Sequence, residues 1–89
     1  MGGNSWSLAG RNIKALPRPS TQFNQEGRVV VDIQVNSEGK VISATIGEGT
    51  TVSDYQTRQV ALEAARKAEF SASDNKIQVG KITYTFKLN

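Results

Sequence analysis

The clearest feature of the chain is an alternation of apolar and polar residues that is typical of a β-strand with one buried face, interrupted by Val30 on the otherwise polar face of its segment. Residues 28–35 and 81–88 show it most strongly. The side chains predicted to face inward are Val29, Val31, Ile33, Val35, Ile82, Tyr84, Phe86 and Leu88. We therefore expect these two strands to supply most of the hydrophobic core.

A second strand follows the first closely enough to form a hairpin. Asn36-Ser37-Glu38-Gly39 has turn chemistry, with glycine where a positive φ is most often required, and residues 41–46 resume an extended pattern. In that segment Val41 belongs to one alternation, whereas Ile42, Ala44 and Ile46 belong to the other. A β-bulge would reconcile the two.

The middle of the chain predicts one amphipathic helix. Ser53 and Gln56 have the spacing of a capping box, and Asp54 suits the positive end of a helix dipole, so we expect the helix to begin at about residue 54. Its apolar stripe is Ala61, Ala64, Ala65 and Ala68, flanked by Val60 and Leu62. A stripe of mostly alanine allows the helix to lie close to a sheet.

The amino-terminal part is weaker in pattern. Residues 5–9 alternate and predict a short strand with Trp6 and Leu8 on one face, and residues 10–27 form a connector that Pro17 and Pro19 hold extended. Residues 1–7 are interpreted as a cloning scar or linker remnant in which this strand starts, and residues 8–89 as one domain.

The element order strand-strand-helix-strand predicts an α+β two-layer sandwich. Its sheet is mainly antiparallel and three-stranded, or four-stranded if residues 5–9 join it, with the helix on one face. A right-handed crossover would put the first hairpin strand in the centre and the last strand at an edge.

Composition removes many kinds of chemistry. The 89 residues, 37% of them hydrophobic, suffice for a single core, and the chain contains neither cysteine nor histidine. Thiol nucleophiles, disulfides, imidazole bases and His or Cys zinc sites are therefore excluded. Gly47-Glu48-Gly49 lacks the rest of a phosphate-binding loop, and the carboxylates show no catalytic pairing. We expect a protein that is not an enzyme, with no catalytic residue, cofactor, metal or small-molecule substrate.

The net charge of +3 is distributed unevenly, because both ends of the chain are basic and the middle is acidic. A nucleic-acid module would show a denser basic face with exposed aromatic residues, so an acidic or peptide partner near the termini is favoured. The outward residues of the last strand, Lys81, Thr83, Thr85 and Lys87, are either its solvated side or a recognition face. An edge strand in this position could accept a peptide by β-augmentation.

The same residues carry a family resemblance. Gly27, Val29, Val31, Val35, Gly39 and Val41 fit a G-x-V-x-V-x-x-x-V-x-x-x-G-x-V hairpin, followed by an alanine-rich helix ending at Phe70 and a closing aromatic strand. Over residues 8–89 this resembles the carboxy-terminal domain of the TonB family of energy transducers. Leu8-Ala9-Gly10-Arg11 and Leu16-Pro17-Arg18-Pro19 are similar to the variant found in Bacteroidetes-type members.

The resemblance implies a periplasmic domain of an inner-membrane-anchored protein whose anchor is absent from this chain. Such a domain binds the TonB box of outer-membrane receptors through its last strand and transmits proton-motive force for substrate uptake. Its partners would be those receptors and, through other parts of the parent chain, an inner-membrane proton-channel complex. The partner-binding residues implied are Gly80, Lys81, Ile82, Thr83, Tyr84, Thr85, Phe86, Lys87, Leu88, Leu16, Pro17 and Pro19.

Two other interpretations stay open from the sequence. One is a TolA-like envelope-spanning interaction domain, which would serve structural linkage rather than receptor opening. The other is a small nucleic-acid binder, for which the outward Lys and Thr side chains of the last strand offer no stacking aromatics.

Overall fold

The computed structural model describes residues 4–88, so residues 1–3 of the predicted scar or linker remnant lie outside the described residues. In chain order the described elements are β1 (Asn4–Ser7), β2 (Ile13–Ala15), β3 (Gly27–Asn36), β4 (Val41–Ile46), α1 (Tyr55–Arg66), β5 (Glu69–Phe70) and β6 (Ile77–Phe86). No helix among these residues is long and apolar enough to cross a membrane.

The main sheet has four antiparallel strands in the order β1-β6-β3-β4. The expectation of an α+β fold with a mainly antiparallel sheet and one helix is confirmed. So is the central place of the first hairpin strand, β3, which lies between β6 and β4. A second, two-stranded sheet joins β2 to β5 and was not predicted.

The β3–β4 hairpin contains the bulge that the sequence suggested. Gln34 pairs with Ser43, but Val35 pairs with Val41, so Ile42 is an extra residue on β4. The extra residue brings the two alternations of β4 onto the same face of the sheet. Val41, Ala44 and Ile46 therefore all pack against the core. Ile42 was grouped with Ala44 and Ile46 from the sequence, which was wrong: it is the bulged residue and is 51% exposed.

The core lies between α1 and one face of the sheet. Its strand side contains Val29, Val31, Ile33, Val35, Ile82, Tyr84 and Phe86. Its helix side contains Val60, Ala61, Leu62, Ala64 and Ala65, with Ala68 just beyond the helix. The larger core side chains come mostly from the strands, and the small alanine side chains let the helix pack close to the sheet, as predicted. The radius of gyration is 12.6 Å.

The helix start differs from the prediction by one residue. Asp54, not Ser53, is the N-cap: its Oδ2 accepts hydrogen bonds from the amide of Thr57 at 2.9 Å and from the Thr57 hydroxyl at 2.8 Å. The amides of Ser53 and Asp54 both donate to Gln25 Oε1. The predicted capping box of Ser53 and Gln56 was therefore wrong: Asp54 accepts from the helix amide, and Gln25 of the connector accepts from the amide of the cap residue.

The helix end was also predicted wrongly. The helix stops at Arg66, and Phe70 lies in β5, where its amide donates to Gly39 O at 2.9 Å. Lys40 Nζ meets Glu69 Oε1 at 2.7 Å beside this contact, and the hydrogen bond and charge of Lys40 lower the pKa of the Glu69 carboxyl. Glu69 and Phe70, which were predicted to be helical, therefore bond to the tip of the β3–β4 hairpin instead.

Asp54→Ala is expected to lower the thermal unfolding midpoint by about 4–8 °C, because the Thr57 amide loses its capping acceptor. Hydrogen bonds from the Thr57 hydroxyl and amide hold the pKa of Asp54 below its ordinary 3.8. The stabilisation is therefore present at neutral pH and is lost as the pH falls below that value. Ser53→Ala is the control, and an equal loss in both variants would contradict the assignment of the cap.

Candidate functional site

Strand β6 is the element on which the sequence placed the partner site, and its position in the sheet differs from the prediction. It pairs with β3 along its whole length, from Gly27 opposite Phe86 to Asn36 opposite Ile77. Its other side pairs with β1. The prediction that the last strand lies at an edge was wrong, because the alternating amino-terminal segment pairs with it; the edges of the sheet are β1 and β4.

The cover that β1 provides is short. It spans four of the ten residues of β6, from Asn4 opposite Tyr84 to Ser7 opposite Lys81. Beyond this span, within the part of the chain that the structure describes, β6 has β3 as its one strand partner. Three of the four β1 side chains are exposed, and Trp6 is half-buried. The outer edge of β6 is thus partly covered by a strand that buries little of itself.

The side chains of β6 divide between two faces as predicted, except at the end of the strand. Ile82, Tyr84 and Phe86 are buried against the helix side, whereas Lys81 and Thr85 are exposed on the open face. Leu88 was predicted to face inward, but it lies beyond the end of β6 and is 45% exposed. Its amide donates to Glu26 Oε1 at 2.7 Å, outside the β3 ladder.

The predicted connector residues lie at different distances from β6. Pro19 lines a small pocket of about 190 Å³ with Asn4, Phe23, Thr85 and Lys87 at the end of the strand. Leu16 instead packs partly against the core, and Pro17 is half-buried. The structure therefore brings Pro19 to the carboxy-terminal end of the candidate edge, and Phe23 stacks edge-on against Phe86 with ring centroids 4.8 Å apart.

The open face of the sheet carries a shallow groove of about 540 Å³ between β1 and β4. Its floor includes the ion pair Lys81–Asp32, with Nζ and Oδ1 2.7 Å apart. Val79 on its rim is 72% exposed, and Ile77 nearby is 58% exposed. Of the outward residues of the last strand, Lys81, Thr85 and Lys87 are exposed and Thr83 is half-buried. This exposure is compatible with a solvated side and with a recognition face.

Tyr84 is the buried polar group of the site. Its side chain is fully buried, and its hydroxyl has no hydrogen-bond partner among the described residues. Loss of solvation raises the pKa of the phenol to about 12. The ring therefore contributes to the core, while its hydroxyl destabilises the fold.

Tyr84→Phe is expected to raise the free energy of unfolding by about 1 kcal/mol, because an unpaired buried hydroxyl is removed and the ring is kept. In the wild type the folded pKa lies above the ordinary 10.0, so stability is lost as the pH rises from about 10 to about 12. The variant should lack this alkaline loss in urea titrations at several pH values. Tyr55→Phe, at a 74% exposed position, is the matched control. A destabilised Tyr84→Phe would indicate an unseen partner for the hydroxyl.

Arg11 is the structural residue that sequence reasoning missed near this site. Its side chain is 5% exposed, and its Nη1 donates to Asn36 O at 2.7 Å and to Ser71 O at 3.3 Å. Nη2 donates to Asn75 O at 3.4 Å, and Nε donates to Gln78 Oε1 at 2.8 Å. Arg11 thus joins the connector to the hairpin, to the loop before β6 and to β6 itself. No local sequence pattern predicts this role of Arg11, because all the acceptors of its side chain are distant in sequence.

Comparisons with protein-family models, with curated proteins and with solved structures find no match to this chain.

Proposed function

We propose that this chain is a peptide-binding module that takes up an extended segment along the outer edge of β6. In the role suggested by its sequence, the segment is the TonB box of an outer-membrane receptor. The module would then act as a periplasmic energy-transducing domain, tethered to the inner membrane and coupled to a proton channel by other parts of its parent chain. No catalysis is involved: the domain binds and transmits force.

The observation that carries the proposal is the incomplete cover of β6. Within residues 4–88, ten residues of β6 are paired with β3 and four of these are also paired with β1. Main-chain hydrogen bonds supply most of the affinity when a peptide adds to a sheet, and the part of β6 that β1 does not pair with provides a starting point for that addition. A ligand longer than β1 can form more of these bonds than β1 does.

Binding along the whole edge requires β1 to leave. Short strands with few buried side chains open at low free energy, and β1 is both short and largely exposed. Because β1 is tethered, it competes at an effective concentration on the order of millimolar. A free peptide should therefore bind more weakly than it would to an uncovered edge, and length and complementarity decide whether it displaces β1.

A nuclear magnetic resonance titration tests the proposal. The labelled chain is titrated with a synthetic TonB-box peptide, and we expect saturable amide shifts over residues 77–88 together with shifts in β1 as it is released. The control is the same peptide with proline at two central positions, which removes backbone donors and should abolish the shifts. Shifts confined to α1, with residues 80–88 silent, would reject the proposed site.

A further inference from the structure

The way β1 sits on β6 indicates what the edge selects. Two inward side chains hold this segment, Trp6 on β1 and Leu8, the first residue after β1, and both pack against the core. Ser5 and Ser7 alternate with them, lie opposite the open-face residues Thr83 and Lys81, and are exposed. The contacts made by this internal strand therefore describe the shape of the site it occupies.

The first contact is aromatic. Trp6 lies opposite Ile82 in the strand register, and its ring meets Phe70 edge-on with centroids 5.5 Å apart at 69°. Phe70 is 1% exposed and belongs to β5, outside the main sheet. A fixed aromatic ring from a neighbouring element thus lines one side of the edge, where an incoming aromatic side chain gains a favourable T-shaped contact.

The second contact depends on a missing side chain. A Cβ at Gly80 would lie 2.5 Å from Ser7 O and 2.7 Å from Leu8 Cδ1, so only glycine lets the strand approach here. Leu8 is 4% exposed, whereas Ser7 and Ala9 beside it are exposed. Gly80 therefore opens a slot beside β6 that takes a branched aliphatic side chain two residues after the aromatic one.

We infer that the outer edge of β6 is selective for an extended segment of the form aromatic-x-aliphatic running antiparallel to β6, and that β1 is the internal occupant of this site. The inference rests on the proposed peptide site and adds the partner's side-chain pattern. The middle position is not selected, because the side chain there faces solvent. β1 also blocks the site until it is displaced.

A competition experiment on the full chain tests the inference. The probe is a fluorescein-labelled peptide with the sequence of residues 4–10 of this chain, followed by fluorescence anisotropy. The wild-type chain should bind it weakly, because β1 fills the site. Trp6→Ala weakens β1, so the full-chain variant is expected to bind the probe at least about tenfold more tightly. Tyr55→Ala removes an exposed aromatic ring elsewhere and should match the wild type.

Two sets of variants test the selectivity. In the Trp6→Ala background, Gly80→Ala should abolish binding of the probe, because its new Cβ meets the backbone oxygen of the incoming strand. Probes with alanine in place of the tryptophan or of the leucine should bind at least about tenfold more weakly, since each loses a large apolar contact, whereas a probe with the middle serine changed to alanine should be unaffected. Equal binding of all probes would overturn the inference.

Hydrogen exchange provides a readout that does not depend on any variant folding. In the wild-type chain the amides of β1 should exchange through a local opening well before those of β3. Exchange of β1 only through global unfolding would show that it is not a displaceable occupant, and would contradict the inference.

A TonB-box peptide in the same assay separates the two proposals. If the chain's own segment binds and the TonB-box peptide does not, the selectivity stands and the energy-transducing role fails. If the TonB-box peptide shifts β6 while the aromatic-x-aliphatic probe does not bind, the role stands and the selectivity fails.

Discussion

Gly39→Ala is expected to lower the free energy of unfolding by at least about 3 kcal/mol, because alanine there meets both backbone strain and a backbone clash. Gly39 has φ of +89°, and a Cβ at this position would overlap Phe70 O, with Phe70 C only 2.7 Å away. The obstacle is main chain, so no rotamer change can relieve it. The hairpin tip and β5 would have to separate, which breaks the hydrogen bond from Phe70 N to Gly39 O.

Urea unfolding measures the loss, and Gly10→Ala is a matched control. Gly10 also has a positive φ, +75°, but nothing lies within 4 Å of the position its Cβ would take. That variant should lose only about 1 kcal/mol, the strain of the left-handed conformation alone. The difference between the two variants isolates the contact with Phe70. Similar losses would mean that the hairpin tip and β5 are not in close contact in solution.

Arg11→Ala is expected to cost about 2–4 kcal/mol, because it leaves acceptors on three separate segments, most of them half-buried, without their donor. The guanidinium serves the carbonyl oxygens of Asn36, Ser71 and Asn75 and the amide oxygen of Gln78. Removing one partner from such a set costs more than the pairing itself contributes, since the remaining polar atoms stay partly desolvated. The variant should also loosen the connector that follows β1.

Arg11→Lys provides the discriminating comparison. Lysine keeps the charge but lacks the planar fork that reaches several acceptors at once, so it should restore less than half of the lost stability. Lys14→Ala, at an exposed position nearby in sequence, should stay within about 0.5 kcal/mol of the wild type. Full recovery with lysine would show that the positive charge, rather than the geometry of the fork, stabilises this junction.

The elements that sequence analysis predicted well are those whose pattern is local. The alternation in residues 28–35 reports which side of β3 faces the core, although Val30 on the other side is also buried. The broken alternation between Val41 and Ala44 reports the bulge. The alanine stripe likewise reports the buried side of α1. In each case the periodicity of the backbone connects a short stretch of residues to one face of an element, with no knowledge of its neighbour.

The candidate site was predicted only in part. β6 was recognised as a long strand with an inner aromatic face and an outer polar one, and its long pairing with β3 follows from the same pattern. Whether its second side is free depends on where residues 4–7 lie, and four residues of weak alternation do not specify a partner strand. The sequence therefore could not determine whether β6 lies at an edge of the sheet.

Long-range contacts account for what the pattern could not show. Asp54 rather than Ser53 caps the helix, while the Ser53 hydroxyl donates to Gln25 Oε1 from the connector. Phe70 lies outside the helix, where its amide pairs with Gly39. Arg11 and Gln78 meet across 67 positions of sequence. Local periodicity is thus enough to give the strands, the helix and their buried faces, since it follows from backbone geometry. The partial cover of β6 and the junction at Arg11 arise only on folding, because each depends on groups far apart in the chain competing for the same hydrogen bonds.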